Sequence, residues 1–153
     1  MDVSEVRLAQ PADAAAVAAL LIEFRDWIGR PSPDAESFGS SAGRLLEDPN
    51  TEFLLGGDPA DGICQLRYRH SVWTGKDDCC IEDVFLREHA RGGGLGRSLV
   101  AAAIDRGRSR GCGRIEVDTN ETNAPALALY RSFGFESGSG VPGGQELQLR
   151  VAL

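Results

Sequence analysis

The chain has 153 residues, of which 42% are apolar and 25% charged, and it carries a net charge of −7. That length suits one domain, 1–153, around one core, and the acidic balance argues against a nucleic-acid partner, whose phosphates call for a basic face. No apolar run is long enough for a membrane span and no basic-then-apolar leader opens the chain, so the expectation is a cytoplasmic protein with no membrane partner.

Val3 to Ala9 alternates, with Val6 and Leu8 on one face, and reads as a first strand. Pro11-Ala12-Asp13 opens a helix on which Val17, Leu20, Leu21, Phe24 and Ile28 recur at helical spacing until Gly29. Arg30 to Gly43 is rich in Pro, Ser and Gly and reads as a loop leading into a short helix with Leu45 and Leu46. Thr51 to Leu55 is expected as a strand, then Ile63 to Trp73, a turn over Thr74 to Asp78, and a further strand over Cys79 to Leu86.

Next comes Arg91-Gly92-Gly93-Gly94-Leu95-Gly96, followed at once by Arg97 and an amphipathic run with Leu99, Val100, Ala103 and Ile104 along one stripe. Arg106, Arg108 and Arg110 are expected to face out near its end, and Gly111 stops it. Glycine admits positive φ and close approach to bare backbone, and a helix start offers unpaired N–H groups. Together they form an anion cradle suited to phosphate. A dinucleotide loop would need glycine where Arg97 stands, and a Walker loop would need lysine there. Arg114 to Asp118 is the next expected strand, so the glycine loop lies inside a right-handed βαβ unit with two parallel strands. Asn123 then caps a helix with Pro125 in its first turn and Gly134 beyond its end. A loose loop spans Gly138 to Gly144, and Leu147, Leu149 and Val151 alternate in a closing strand.

The cysteines, Cys64, Cys79, Cys80 and Cys112, form no C-x-x-C, and with only two histidines no metal site is expected. They read as buried reduced thiols. His70 reads as a packed or edge residue and His89 as an exposed one, each with a catalytic base as the alternative. Tyr68 and Trp73 could line a pocket or pack in the hairpin.

The R-x-x-G-x-G pattern of Arg91, Gly94 and Gly96 resembles the acetyl-CoA diphosphate loop of the GNAT superfamily of N-acetyltransferases. Asn123-x-x-Ala126-x-x-x-Tyr130-x-x-x-Gly134-Phe135 is similar to a second block of that superfamily, and Glu82 to Leu86 resembles its pantetheine-binding strand. The resemblance implies an α/β fold: a mixed, mostly antiparallel sheet with a splayed central parallel pair, flanked by helices. It also implies acetyl transfer from acetyl-CoA to a primary amine on a small molecule or peptide, in a homodimer by analogy. A non-catalytic acyl-CoA-binding module is the alternative. Arg30 to Gly43 would border the acceptor.

On that resemblance Val84, Phe85 and Leu86 would pair with pantetheine, and the amides of Gly92, Gly93, Gly94, Leu95, Gly96 and Arg97 would hold the diphosphate, with Arg91 and Arg97 adding charge. Asn123 would contact the cofactor arm, and Tyr130 would protonate the departing sulfur. Glu82 is the expected base, acting through water. It precedes Arg91 at a spacing that resembles the glutamate of spermidine/spermine N-acetyltransferases, and strict alternation would put it on the face of Cys80 and Val84, away from Asp83 and Phe85. An ion pair from Glu82 to Arg67 or Arg69 is the structural alternative; Asp83, Glu116 and Asp118 are further carboxylates. No placed Cys or Ser–His pair points to a covalent intermediate, so attack would be direct.

Overall fold

The computed structural model describes residues 5–138, 142–144 and 147–153. The chain divides into two compact units, Met1–Asn120 and Glu121–Leu153. In the first, a five-stranded sheet has the order β1 (Val6–Leu8), β2 (Thr51–Gly56), β3 (Gly62–Ser71), β4 (Lys76–Leu86) and β5 (Arg114–Val117). All neighbours are antiparallel except β4 and β5, which are parallel. The expected mixed sheet with one parallel pair is therefore the observed one.

Helices α1 (Ala14–Trp27) and α2 (Ala35–Glu47) cover one face of the sheet, and α3 (Leu95–Ser109) covers the other. Alternation along the strands divides the two cores. Phe53, Leu55, Ile63 and Phe85 join Val17, Leu20 and Leu21 of α1 and Ala42 of α2. On the α3 side the start of the helix comes down on bare backbone. A Cβ on Gly56 would lie 2.6 Å from Leu95 Cδ1, and one on Gly62 would lie 2.7 Å from Leu86 Cδ2 and 3.1 Å from Leu99 Cδ1. These two glycines let α3 approach the sheet closely.

Several boundaries differ from expectation. Helix α2 begins at Ala35, inside the expected loop, because the Asp34 side chain accepts from Ser37 N at 2.8 Å and caps it. Strand β4 begins at Lys76, so the hairpin turn is shorter than the expected Thr74 to Asp78. The exposed Val72 and Trp73 belong to that turn and not to β3. Val3, the expected start of β1, lies outside the described residues, as do 139–141 of the expected glycine-rich loop.

Arg106 and Arg110 do not face freely outward. Arg106 donates to both carboxylate oxygens of Glu52 on β2, at 2.6 and 3.2 Å. Arg110 stacks over Tyr68 with Cζ 3.8 Å from the ring centroid and donates to Pro49 O. The end of α3 is thus tied down to the sheet.

In the second unit, α4 (Ala124–Ser132) starts as expected, with Asn123 Oδ1 accepting from Ala126 N at 3.3 Å and Pro125 in the first turn. The expected closing strand is absent from the described residues: Leu147, Leu149 and Val151 are exposed and unpaired in any ladder. Alternation marks a strand only where another backbone offers its edge.

Candidate active site

Two features of the first unit meet at the end of β4. The first is where its parallel pairing ends. The β4–β5 ladder runs from Asp78↔Arg114 to Ile81↔Val117 and goes no further. From there to Leu86, β4 keeps its β3 partners on one side and, among the described residues, pairs with no strand on the other. The backbone of Val84, Phe85 and Leu86 is therefore available on its β5 side as an edge.

The second is the loop after that strand. Gly92 has φ +80° and Gly94 φ +92°, values that side chains rarely adopt. Gly94 is the N-cap of α3, and the first intrahelical bond is Ser98 N to Gly94 O at 3.0 Å. The N–H groups of Leu95 and Gly96 precede it and have no acceptor among the described residues. Gly92, Gly93 and Gly94 are exposed, Leu95 and Gly96 are buried against the sheet, and Arg97 is exposed. Bare amides, a helix dipole and a missing strand partner suit a long ligand carrying an anionic group and amide groups.

Strand β4 also carries a bulge that simple alternation hides. Gln65 faces Asp83 and Leu66 faces Ile81, so Glu82 is the extra residue. Its insertion reverses the alternation beyond it. Cys79 Cβ lies 3.4 Å from where a Cβ on Gly107 of α3 would stand, so Cys79 faces α3. Leu86 meets Gly62 on that same α3 side. Cys80 and Val84 therefore lie on opposite faces, contrary to the expectation that Glu82 shares one face with both. Asp83 does share a face with Phe85, as expected, but that face is the α1 side.

Glu82 is exposed and lines a cavity of about 120 Å³ with Arg69, Cys80, Glu116 and Asp118. It makes no ion pair among the described residues. Arg69 reaches Glu116 instead, at 3.2 Å, so the structural alternative for Glu82 falls to a different carboxylate. Arg114 binds Glu116 at 3.1 Å and Asp78 at 3.0 Å. Asp78 is 1% exposed, and its second oxygen has no hydrogen-bond partner among the described residues. Burial pushes the Asp83 carboxyl above the ordinary range, and the neighbouring Glu82 charge adds to this.

A larger cavity, about 230 Å³, lies at the start of β2 beside Asp48, Glu52 and Arg110. Glu52 and Arg110 are engaged as described above, and the glycine loop is at the other end of α3. His70 pairs with Asp77 and His89 with Asp61, both at the surface. Cys64 and Cys79 are buried and Cys80 and Cys112 half-buried; all four are free thiols. Burial raises the Cys79 thiol to about 12, which removes it as a nucleophile. No group of three or more potential metal ligands occurs among the described residues, and no described helix is long and apolar enough to cross a membrane.

Arg91 begins the loop and is already held. Its Nε donates to Leu86 O at 3.0 Å, and its guanidinium lies over Trp27 with Cζ 4.7 Å from the ring centroid. Sequence reasoning missed this contact, which joins α1 to the glycine loop. In the second unit, Tyr130 is 7% exposed and its ring lies 5.7 Å from that of Phe135. Asn123 serves there as the cap of α4.

Residues 21–135 match the model of the acetyltransferase (GNAT) family. The chain is 28% identical over 137 residues to the uncharacterized N-acetyltransferase YhfO of Bacillus subtilis (strain 168), covering 88% of this chain and 91% of that one. It is 30% identical over 138 residues to an aminoglycoside N(6')-acetyltransferase type 1 of Stenotrophomonas maltophilia, covering 86% and 85% of the two chains. A crystal structure from Arthrobacter sp. FB24, assigned to the acetyltransferases, superposes with a TM-score of 0.85 at 31% identity over 100% of this chain and 97% of that one. The fold, the loop and these likenesses together define an acyltransferase: the chain belongs to the GNAT acetyltransferase family.

Proposed function

We propose that the protein transfers the acetyl group of acetyl-CoA to a primary amine by direct attack within a ternary complex. The observation that carries this reading is the coincidence, within one unit, of the ladder that stops at Ile81↔Val117 and the unpaired amides at the start of α3. An extended pantetheine amide chain fits the β5-side edge of Val84 to Leu86, and a diphosphate fits the positive end of the helix behind Gly92 and Gly94. Arg91 and Arg97 add charge-assisted contacts there.

When bound, acetyl-CoA supplies an activated thioester. The chain's own groups then have three tasks. Glu82, exposed in the β4 cavity, accepts the proton that the amine must lose, through a water molecule. Backbone N–H groups of the bulged strand steady the charge that develops on the carbonyl oxygen. Tyr130 gives its phenolic proton to the departing sulfur, and Asn123 contacts the cofactor arm. The new bond joins nitrogen to the acetyl carbon, the carbon–sulfur bond breaks, and the sulfur leaves as a thiol.

The acceptor is a small-molecule or peptide amine. Several carboxylates around the β4 cavity, with Arg69 and Arg114 engaged by Glu116, favour a cationic molecule. The test is thiol release from acetyl-CoA across a panel of aminoglycosides, polyamines, amino acids and peptides. Turnover with at least one amine supports the reading; CoA binding without turnover on any of them would overturn it.

A further inference from the structure

Trp27 closes α1 and is 56% exposed. It does not stand alone. Its ring lies 6.3 Å from Phe24 in a stack tilted by 17°, and 6.4 Å from Phe85, whose own ring lies 5.2 Å from Phe24. This aromatic trio rests on β4, beside the strand edge described above. Over its outer surface lies the guanidinium of Arg91, 4.7 Å from the Trp27 centroid and 5.8 Å from that of Phe85.

The manner of that contact is informative. An Arg side chain is long and has much rotamer freedom to lose when it binds something. Here two contacts already hold it. The indole holds the guanidinium plane by cation–π attraction, and Leu86 O, at the end of the exposed strand edge, accepts from Nε at 3.0 Å. The terminal nitrogens make no hydrogen bond or ion pair among the described residues, so the donors that suit an anion are the ones left open. Gly92 to Gly94, with their bare amides, follow directly in the chain.

We propose that Trp27 is a positioning residue for the cofactor: its indole, packed on Phe24 and Phe85, holds Arg91 beside the glycine loop with its terminal N–H groups turned to the phosphate groups of acetyl-CoA. This rests on the acetyl-CoA reading of the loop. It adds that α1, the helix leading into the segment before α2, is mechanically joined to the cofactor side through one stacked pair. Preorganising a flexible cation in this way increases affinity without any contact between Trp27 and the ligand.

The test is titration calorimetry with CoA on the wild type, Trp27→Leu, Trp27→Phe, Arg91→Ala and the Trp27→Leu/Arg91→Ala double variant, together with steady-state kinetics. Trp27→Leu is expected to weaken CoA binding about two- to fivefold, the range of one exposed cation–π contact. The loss should appear in KM for acetyl-CoA and not in kcat, and Trp27→Phe should recover most of it. In the Arg91→Ala background the same substitution should cost nothing further. Unchanged CoA affinity in Trp27→Leu, or an equal loss with and without Arg91, would overturn the role of Trp27. If the wild type itself bound no CoA, the cofactor reading beneath it would fall as well; wild-type binding with an indifferent Trp27→Leu would leave that reading standing.

Discussion

Cys79 and Leu86 stand on one strand an odd number of residues apart, yet both side chains lie on the α3 side of the sheet. The bulge at Glu82 makes this possible, and two adjacent carboxylates at it have different surroundings. Glu82 is exposed in the cavity at the end of the parallel ladder, whereas Asp83 is half-buried on the side of Phe85. Glu82→Gln should therefore lower kcat by about 10², a usual loss on removing a general base. Asp83→Asn should keep kcat within a few-fold. The reverse order in steady-state kinetics would transfer the base to Asp83.

Asp83 bears on stability as well. Its carboxyl titrates above the ordinary range, because burial and then the Glu82 charge disfavour ionisation. A raised carboxyl stabilises the fold only while protonated, so its contribution is full below the unfolded pKa and is lost as pH rises through the folded one. Asp83→Asn should raise the Tm near neutral pH, and the gain should vanish in acid. Thermal melts at several pH values check this; a gain that grew in acid would contradict it.

Tyr130→Phe removes one hydroxyl and leaves the buried ring beside Phe135. If the phenol protonates the leaving sulfur, kcat should fall about 10²-fold while CoA affinity stays within about twofold. Undiminished turnover would dismiss Tyr130 as the acid.

Gly94 caps α3 with φ +92°, so any side chain there strains the backbone that presents the amides. For Gly94→Val, a left-handed penalty of about 1–2 kcal/mol adds to the obstruction of the loop. Calorimetry should show CoA binding weakened by tenfold or more, since about 1.4 kcal/mol is a factor of ten. Unchanged affinity would remove the loop from the binding site.

Glu52 is held by Arg106 and by the hydroxyl of Tyr68. Burial alone would raise its carboxyl, but the hydrogen bonds from Arg106 and Tyr68 outweigh it and keep the group below the ordinary range. Its contribution is present above the unfolded pKa and is lost as pH falls through the folded one. Glu52→Ala leaves two donors without their acceptor and should cost about 2 kcal/mol by denaturant unfolding near neutral pH, less in acid. A cost that did not shrink on acidification would contradict the assignment.

Much of this was legible in the residues. The glycine run between a strand and an amphipathic helix announced the βαβ unit, and Asn123 with Pro125 announced α4, because these signals are local. The start of α2 was missed although Asp34 and Ser37 spell out a cap; the prolines and glycines around them masked it. The bulge was illegible because Glu82 interrupts an otherwise regular alternation, and only the partner strand's register reveals an extra residue. Contacts such as Glu52 with Arg106, or Trp27 with Arg91, join positions far apart in the chain and have no sequence period to betray them. The alternating Leu147, Leu149 and Val151 misled for the complementary reason: a pattern describes one strand, and a ladder takes two.

The clamp on the far end of α3 has a consequence for how the protein can respond to a ligand. Arg106 and Arg110 rivet the helix to β2 and to the segment before it, while Leu95 rests on Gly56 at the other end. A post fixed in this way cannot swing toward an incoming molecule. Adjustment during a turnover cycle therefore falls to the loop ahead of the helix and to whatever closes over it, so hydrogen exchange should slow at Gly92 to Gly96 on CoA addition while the amides around Arg106 keep their rates.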